Sequence, residues 1–152
     1  MKNQCALLFF LALAACTFNN VQPEKRGVAL EQPEKWQLVE MSGNIANVPP
    51  ATGNNMTWQE WYVLYPDHSF TKTRVRDNIT TSANGSYSVI SSDKQYLELM
   101  YPSDNTLIGN CTAEAKELFA IFENKIVSTW SMCDGPGLTY KKVKIESEPS
   151  SD

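Results

Sequence analysis

The chain has 152 residues, 17 acidic and 13 basic side chains, and a formal charge of −4. That length suits one domain and is short for two. The acidic balance leaves no overall positive charge of the kind that draws a protein to nucleic acid.

The first residues read as a processing segment. Lys2 is followed by an uncharged apolar run from Ala6 to Ala15. Spanning a bilayer takes about 18 such residues, so the run is too short. It has the length of a signal-peptide core and ends in small residues. Leu13-Ala14-Ala15-Cys16 resembles the lipobox of bacterial lipoproteins. The resemblance implies removal of residues 1–15 and attachment of palmitate-type acyl chains at Cys16. At about 0.8 kcal/mol per buried methylene, several chains would hold the protein firmly at a membrane. Thr17 rather than Asp follows the cysteine, which by the same resemblance points to the outer membrane of the cell envelope. Lys2 is the only charge lost with the leader, so the mature chain would carry −5.

Residues 16–33 are expected to be the lipidated N-terminus and a flexible tether. They are polar, contain Pro23 and Pro33, and repeat Gln-Pro-Glu-Lys at 22–25 and 32–35. So few apolar residues cannot pack alone. Residues 146–152 are acidic and serine-rich and read as a disordered tail.

Residues 34–145 are expected to form one domain of short β-runs split by turn residues. The expected strands are Trp36–Met41, Thr57–Tyr65, Ser69–Arg76, Thr80–Ile90, Gln95–Tyr101, Thr106–Thr112, Glu117–Phe122, Ile126–Met132 and Leu138–Ile145. Gly43 to Asn55, with Pro49, Pro50 and Gly53, reads as a long loop. Asn84-Gly85 is either a hairpin turn or a bulge within one strand. Ala113–Phe122 contains helix-favouring residues, but Leu118 to Phe122 lacks a polar face and a turn follows, so strand, or a short helical turn leading into strand, is the expectation. The fold class is therefore all-β: an antiparallel meander of eight to nine strands, closed as a barrel because closure removes exposed edges.

Four cysteines are present. Cys5 leaves with the leader and Cys16 is committed to lipid, so Cys111 and Cys133 are the pair expected to form a disulfide in an oxidising compartment. They lie 22 positions apart, and closing that loop stabilises by roughly 3 kcal/mol in the chain-entropy model.

Several stretches together resemble the small bacterial lipocalin-like lipoproteins. Lys35-Trp36-Gln37-Leu38-Val39 is similar to their Trp-x-Leu first strand. Tyr65-Pro66-Asp67-His68-Ser69-Phe70 resembles their Asp-Gly-x-Phe hairpin, with His68 where the glycine usually stands. Gly85-Ser86-Tyr87 and Cys133-Asp134-Gly135-Pro136-Gly137-Leu138-Thr139-Tyr140-Lys141 match a Gly-x-Tyr strand start and the closing stretch. The resemblance implies an up-and-down barrel able to hold one small ligand; it implies no settled activity.

No catalytic constellation is visible. His68 is the single histidine, and a hairpin turn explains it, because His tolerates a left-handed backbone. One histidine, two cysteines paired with each other and scattered carboxylates make no metal cluster, and no cofactor motif is present. Lys72, Arg74 and Arg76 alternate with Thr71, Thr73 and Val75 and read as a solvated strand face. The candidate binding residues are aromatic: Trp58, Trp61, Tyr62, Tyr65, Phe122 and Trp130. Alternation puts Trp58, Tyr62 and Leu64 on one side of a strand and Trp61, Val63 and Tyr65 on the other. Two functions follow as expectations. One is a membrane-tethered barrel holding a small apolar or amphipathic molecule. The alternative is an envelope interaction or inhibitor module with a packed, ligand-free core.

Overall fold

The computed structural model describes residues 30–145, apart from 44 and 46. The expected leader, Cys16, all but the last residues of the tether, and the tail lie outside the described residues. Among the described residues nine strands form: β1 (Glu34–Ser42), β2 (Ala51–Thr52), β3 (Gln59–Leu64), β4 (Ser69–Arg76), β5 (Ile79–Ser91), β6 (Gln95–Met100), β7 (Lys116–Phe122), β8 (Lys125–Ser128) and β9 (Gly137–Val143). Neighbours pair in the order β2-β1-β3-β4-β5-β6-β7-β8-β9, and β9 returns to β1. Eight strands thus close into an antiparallel barrel. Two-residue β2 adds to β1 through Glu40↔Thr52 and Met41↔Ala51.

Local chemistry sets the corners. Between β3 and β4, His68 adopts φ 64°, and Asp67 Oδ1 accepts from Ser69 N at 2.9 Å and Ser69 Oγ at 2.6 Å. These bonds hold the Asp67 carboxyl below the usual carboxylate range. Asp77 and Asn78, at φ 52° and 62°, make the two-residue left-handed turn that suits a tight hairpin between β4 and β5. A register shift between Leu38 and Glu40 bends β1, so Leu38 and Met41 both face the core although they are three apart.

Asn84-Gly85 is neither a turn nor a bulge. β5 runs straight through it, pairing with β4 over Ile79–Ser86 and with β6 over Ser86–Ser91. Gly85 stands at that hand-over, where a Cβ would lie 2.1 Å from the Met100 carbonyl oxygen.

Two expected strands are corrected. Thr106–Thr112 is not a strand but part of a loop spanning 101–115. It turns Leu107 inward to 4% exposure, because buried cations on β4 take its backbone as an acceptor. Ile126–Met132 is strand only as far as Ser128; Trp130–Cys133 winds into a 3-10 turn. The Cys111–Cys133 disulfide, with Cα atoms 5.5 Å apart, pins that turn to the 101–115 loop.

The barrel has two distinct ends. Alternation of the hairpins puts the start of β1, the turns at 65–68, 92–94 and 123–124, and the end of β9 at one, here the tether end. The longer connections 43–58, 101–115 and 129–136 and the Asp77-Asn78 turn gather at the other, the loop end. Period-two alternation fills the interior. Tyr62 lies edge-on to Phe119 and Tyr140 at centroid distances of 5.5 and 5.2 Å, and Phe70 meets Tyr101 at 5.0 Å. Leu38, Leu99, Ile126 and Leu138 close the gaps among them. Fully burying one such side chain stabilises by about 1.5–3 kcal/mol.

Candidate functional site

β3 and β4 carry polar residues on the faces they turn inward. On β3 the inward set is Glu60, Tyr62 and Leu64. On β4 it is Phe70, Lys72 and Arg74. The expectation that Lys72, Arg74 and Arg76 form a solvated face is therefore overturned for the first two: Lys72 is 0% exposed and Arg74 12%. Phe70 and Tyr62 set the register, and a β-strand that buries Phe70 must also bury Lys72.

Those charges meet in one network. Lys72 Nζ donates to Glu117 Oε1 at 2.8 Å and to the Leu107 carbonyl at 2.6 Å, and Glu60 Oε1 lies 3.4 Å away. Arg74 Nε donates to Glu60 Oε2, while its Nη2 reaches the Leu107 carbonyl at 3.2 Å. Glu117 accepts on its other oxygen from Tyr62 at 2.8 Å and from Tyr101. The Gly109 amide donates to Glu117 Oε1 at 2.7 Å, and Tyr140 donates to Glu60 Oε1. Two carboxylates face two cations, so the interior carries no net charge. Buried ions need this degree of pairing, since an unpaired one costs several kcal/mol.

The phenols serve the network as donors. Burial pushes the Tyr62 and Tyr140 hydroxyls well above their ordinary value, and the neighbouring carboxylates of Glu117 and Glu60 push further. Tyr101 is raised by burial and by Glu117. All three keep their protons for hydrogen bonding far into alkaline solution.

The 101–115 loop caps this network at the loop end, with the Leu107 carbonyl and the Gly109 amide as its two contacts to the buried charges. The interior is thus occupied twice over, by stacked aromatics toward the tether end and by ion pairs beneath the loop. Among the described residues no group of three or more His, Cys, Asp or Glu is placed to hold a metal.

The six aromatic candidates do not converge. Tyr62 lies in the core at 0% exposure. Trp58 sits at the loop end with the Arg74 guanidinium 4.5 Å and the Arg76 guanidinium 5.9 Å from its ring centre. Trp61 is on the outer wall under Lys35 Nζ at 5.0 Å. The Tyr65 carbonyl accepts from Tyr87 OH at 2.9 Å in the β3–β4 corner. Phe122 is 49% exposed at the end of β7. Trp130 packs over Gly109 and Gly135, beside the disulfide. Trp36 closes the tether end, packed against the core.

Compared with known proteins, the chain matches no family model, no curated protein and no solved structure. Its functional reading therefore rests on its own geometry.

Glu60, Glu117, Tyr101 and Tyr140 are the site residues that sequence reading missed. Glu60 alone carried a local signal: a carboxylate between Trp58 and Tyr62 at period two, hence on a face otherwise apolar.

Proposed function

We propose that the chain is an exported, lipid-anchored envelope protein, related to the lipocalin-like lipoproteins, whose filled barrel is a rigid scaffold for docking a protein partner at its loop end, and not an enzyme. The observation that carries this reading is the Lys72–Glu117–Glu60–Arg74 network. It takes the volume in which a carrier would hold its ligand. A small apolar molecule could enter only by displacing the 101–115 loop and stripping Lys72, Arg74 and Glu117 of partners, which makes an apolar occupant a poor exchange.

Orientation supports the docking end. β1 begins at the tether end, so a chain anchored through Cys16 would turn its loop end away from the membrane. That end exposes apolar side chains: Ile45 at 73%, Ile79 at 68% and Met132 at 82%. Beside Met132 an open apolar groove is lined by Tyr96, Leu118 and the disulfide. A contiguous apolar groove of this kind, rimmed by polar side chains, is what marks an interaction surface.

The test is site-specific photo-crosslinking in intact envelopes. A benzoylphenylalanine at Ile45 or Met132 should give a discrete adduct with another protein, and one at Asn124 should give none. Absence of a protein adduct from both loop-end positions would overturn the docking reading.

A further inference from the structure

The outer face of the barrel carries a pattern of its own. Register pairs place five outward side chains in one row across β7, β8, β9, β1 and β3: Phe122↔Lys125, Lys125↔Lys141, Lys141↔Gln37 and Gln37↔Trp61. Lys35 extends the row toward the tether end, beside Val143 on β9. Lys35 Nζ covers Trp61 at 5.0 Å and Lys125 Nζ covers Phe122 at 5.4 Å.

Like charges directly opposite on paired strands are destabilising, yet Lys125 and Lys141 are directly opposite. Neither of them, nor Lys35, has an ion-pair partner among the described residues. The acidic groups nearest the row are few: Glu34 is held by Lys142, Glu40 lies farther up β1 opposite Thr139, and Glu123 sits in the β7–β8 turn. An otherwise acidic chain thus concentrates unpaired lysines, interleaved with Trp61 and Phe122, on the wall next to where β1 begins.

Lysine beside tryptophan at an exposed wall is the chemistry of a headgroup surface, where the ring sits at the interface and the ammonium meets phosphate. We infer that the β8–β9–β1 wall lies against an anionic lipid surface through Lys35, Lys125 and Lys141, with Trp61 and Phe122 at headgroup depth. The inference rests on the lipid-anchor reading for its biological setting, since the tether would keep this wall within reach of the bilayer. It also fixes how the barrel lies: tilted onto this wall at its tether end, with the loop end still turned away from the bilayer.

The experiment removes the anchor so that only the wall can bind. The mature chain carrying Cys16→Ser is sedimented with vesicles of phosphatidylcholine alone or mixed with phosphatidylglycerol. Binding to the anionic vesicles alone, weakened by salt and accompanied by a blue shift of tryptophan emission that Trp61→Phe abolishes, is expected. Lys125→Gln with Lys141→Gln should lower the partition coefficient about thirtyfold, while Lys94→Gln, in the β5–β6 turn, should leave it unchanged. Equal binding to both vesicles, no binding, or equal loss in the Lys94 variant overturns the inference. Binding only after deletion of residues 146–152 overturns it too, because the acidic tail is then the wall's occupant. Weighing Cys16 from native envelopes tests the anchor separately, so the two failures are distinguishable.

Discussion

Lys72 Nζ stands 2.8 Å from Glu117 Oε1, across 45 residues of sequence, with side-chain exposures of 0% and 2%. This pair ties β4 to β7 through the middle of the barrel, and the loop over it is tied to both partners. Breaking a buried pair from one side leaves the other ion uncompensated. Lys72→Met should therefore lower unfolding free energy by about 3–5 kcal/mol. The double variant Lys72→Met with Glu117→Leu should cost at least about 1 kcal/mol less than the two single changes added. Urea denaturation of the four proteins checks this, and strict additivity would mean the pair is not coupled.

Alkaline pH should unfold the domain in step with its tyrosines. Tyr62, Tyr101 and Tyr140 have folded-state values raised above the unfolded value of about 10. A raised value means the folded state holds its proton more tightly, so the contribution is complete below about pH 10 and declines as pH rises beyond it. The slope is about 1.4 kcal/mol per pH unit for each tyrosine. Tyrosinate absorbance and near-ultraviolet circular dichroism recorded from pH 8 to 12 should show part of the absorbance rising only together with loss of dichroism. Smooth ionisation of all six tyrosines in a still-folded chain would contradict the burial of the phenols.

Gly85→Ala tests the hand-over on β5. Its added Cβ meets the Met100 carbonyl oxygen at 2.1 Å and the Phe70 ring at 2.8 Å. The carbonyl belongs to a paired strand and cannot swing aside, so a loss of about 1–3 kcal/mol is expected. A thermal melt unchanged by the substitution would mean that β5 and β6 separate freely there.

Replacing Cys111 and Cys133 by Ser should lower stability by roughly 3 kcal/mol. The bond links the 101–115 loop to the Trp130–Cys133 turn, so hydrogen exchange should quicken first at the Gly109 amide. Equal acceleration across β3 and β4 would show that the bond acts on the whole barrel rather than on the loop.

The fold was legible because period-two alternation and turn chemistry are local. His68 occupies the left-handed corner that its place in Pro66-Asp67-His68 suggested, and strands β3 to β7 fall where their runs lie. The network was not legible. Lys72 and Arg74 alternate with threonine as residues on a wet strand do, and only tertiary placement of Glu117, Glu60 and the Leu107 carbonyl makes them interior. Leu107 and Ile108 misled for a related reason: two apolar residues bounded by polar ones suit a strand, but here they plug a barrel end. The aromatic run Trp58–Tyr65 was visible, while its division between core, rim and outer wall depended on which face closure turned inward.

The filled, paired interior is the claim on which the rest depends, and native mass spectrometry of the protein purified from its native source tests it most directly. We expect a single species at the mass of the polypeptide with its covalent modifications, unchanged by organic extraction. A further non-covalent mass of a few hundred daltons, lost on extraction and rebound afterwards, would show a ligand inside the barrel and contradict it.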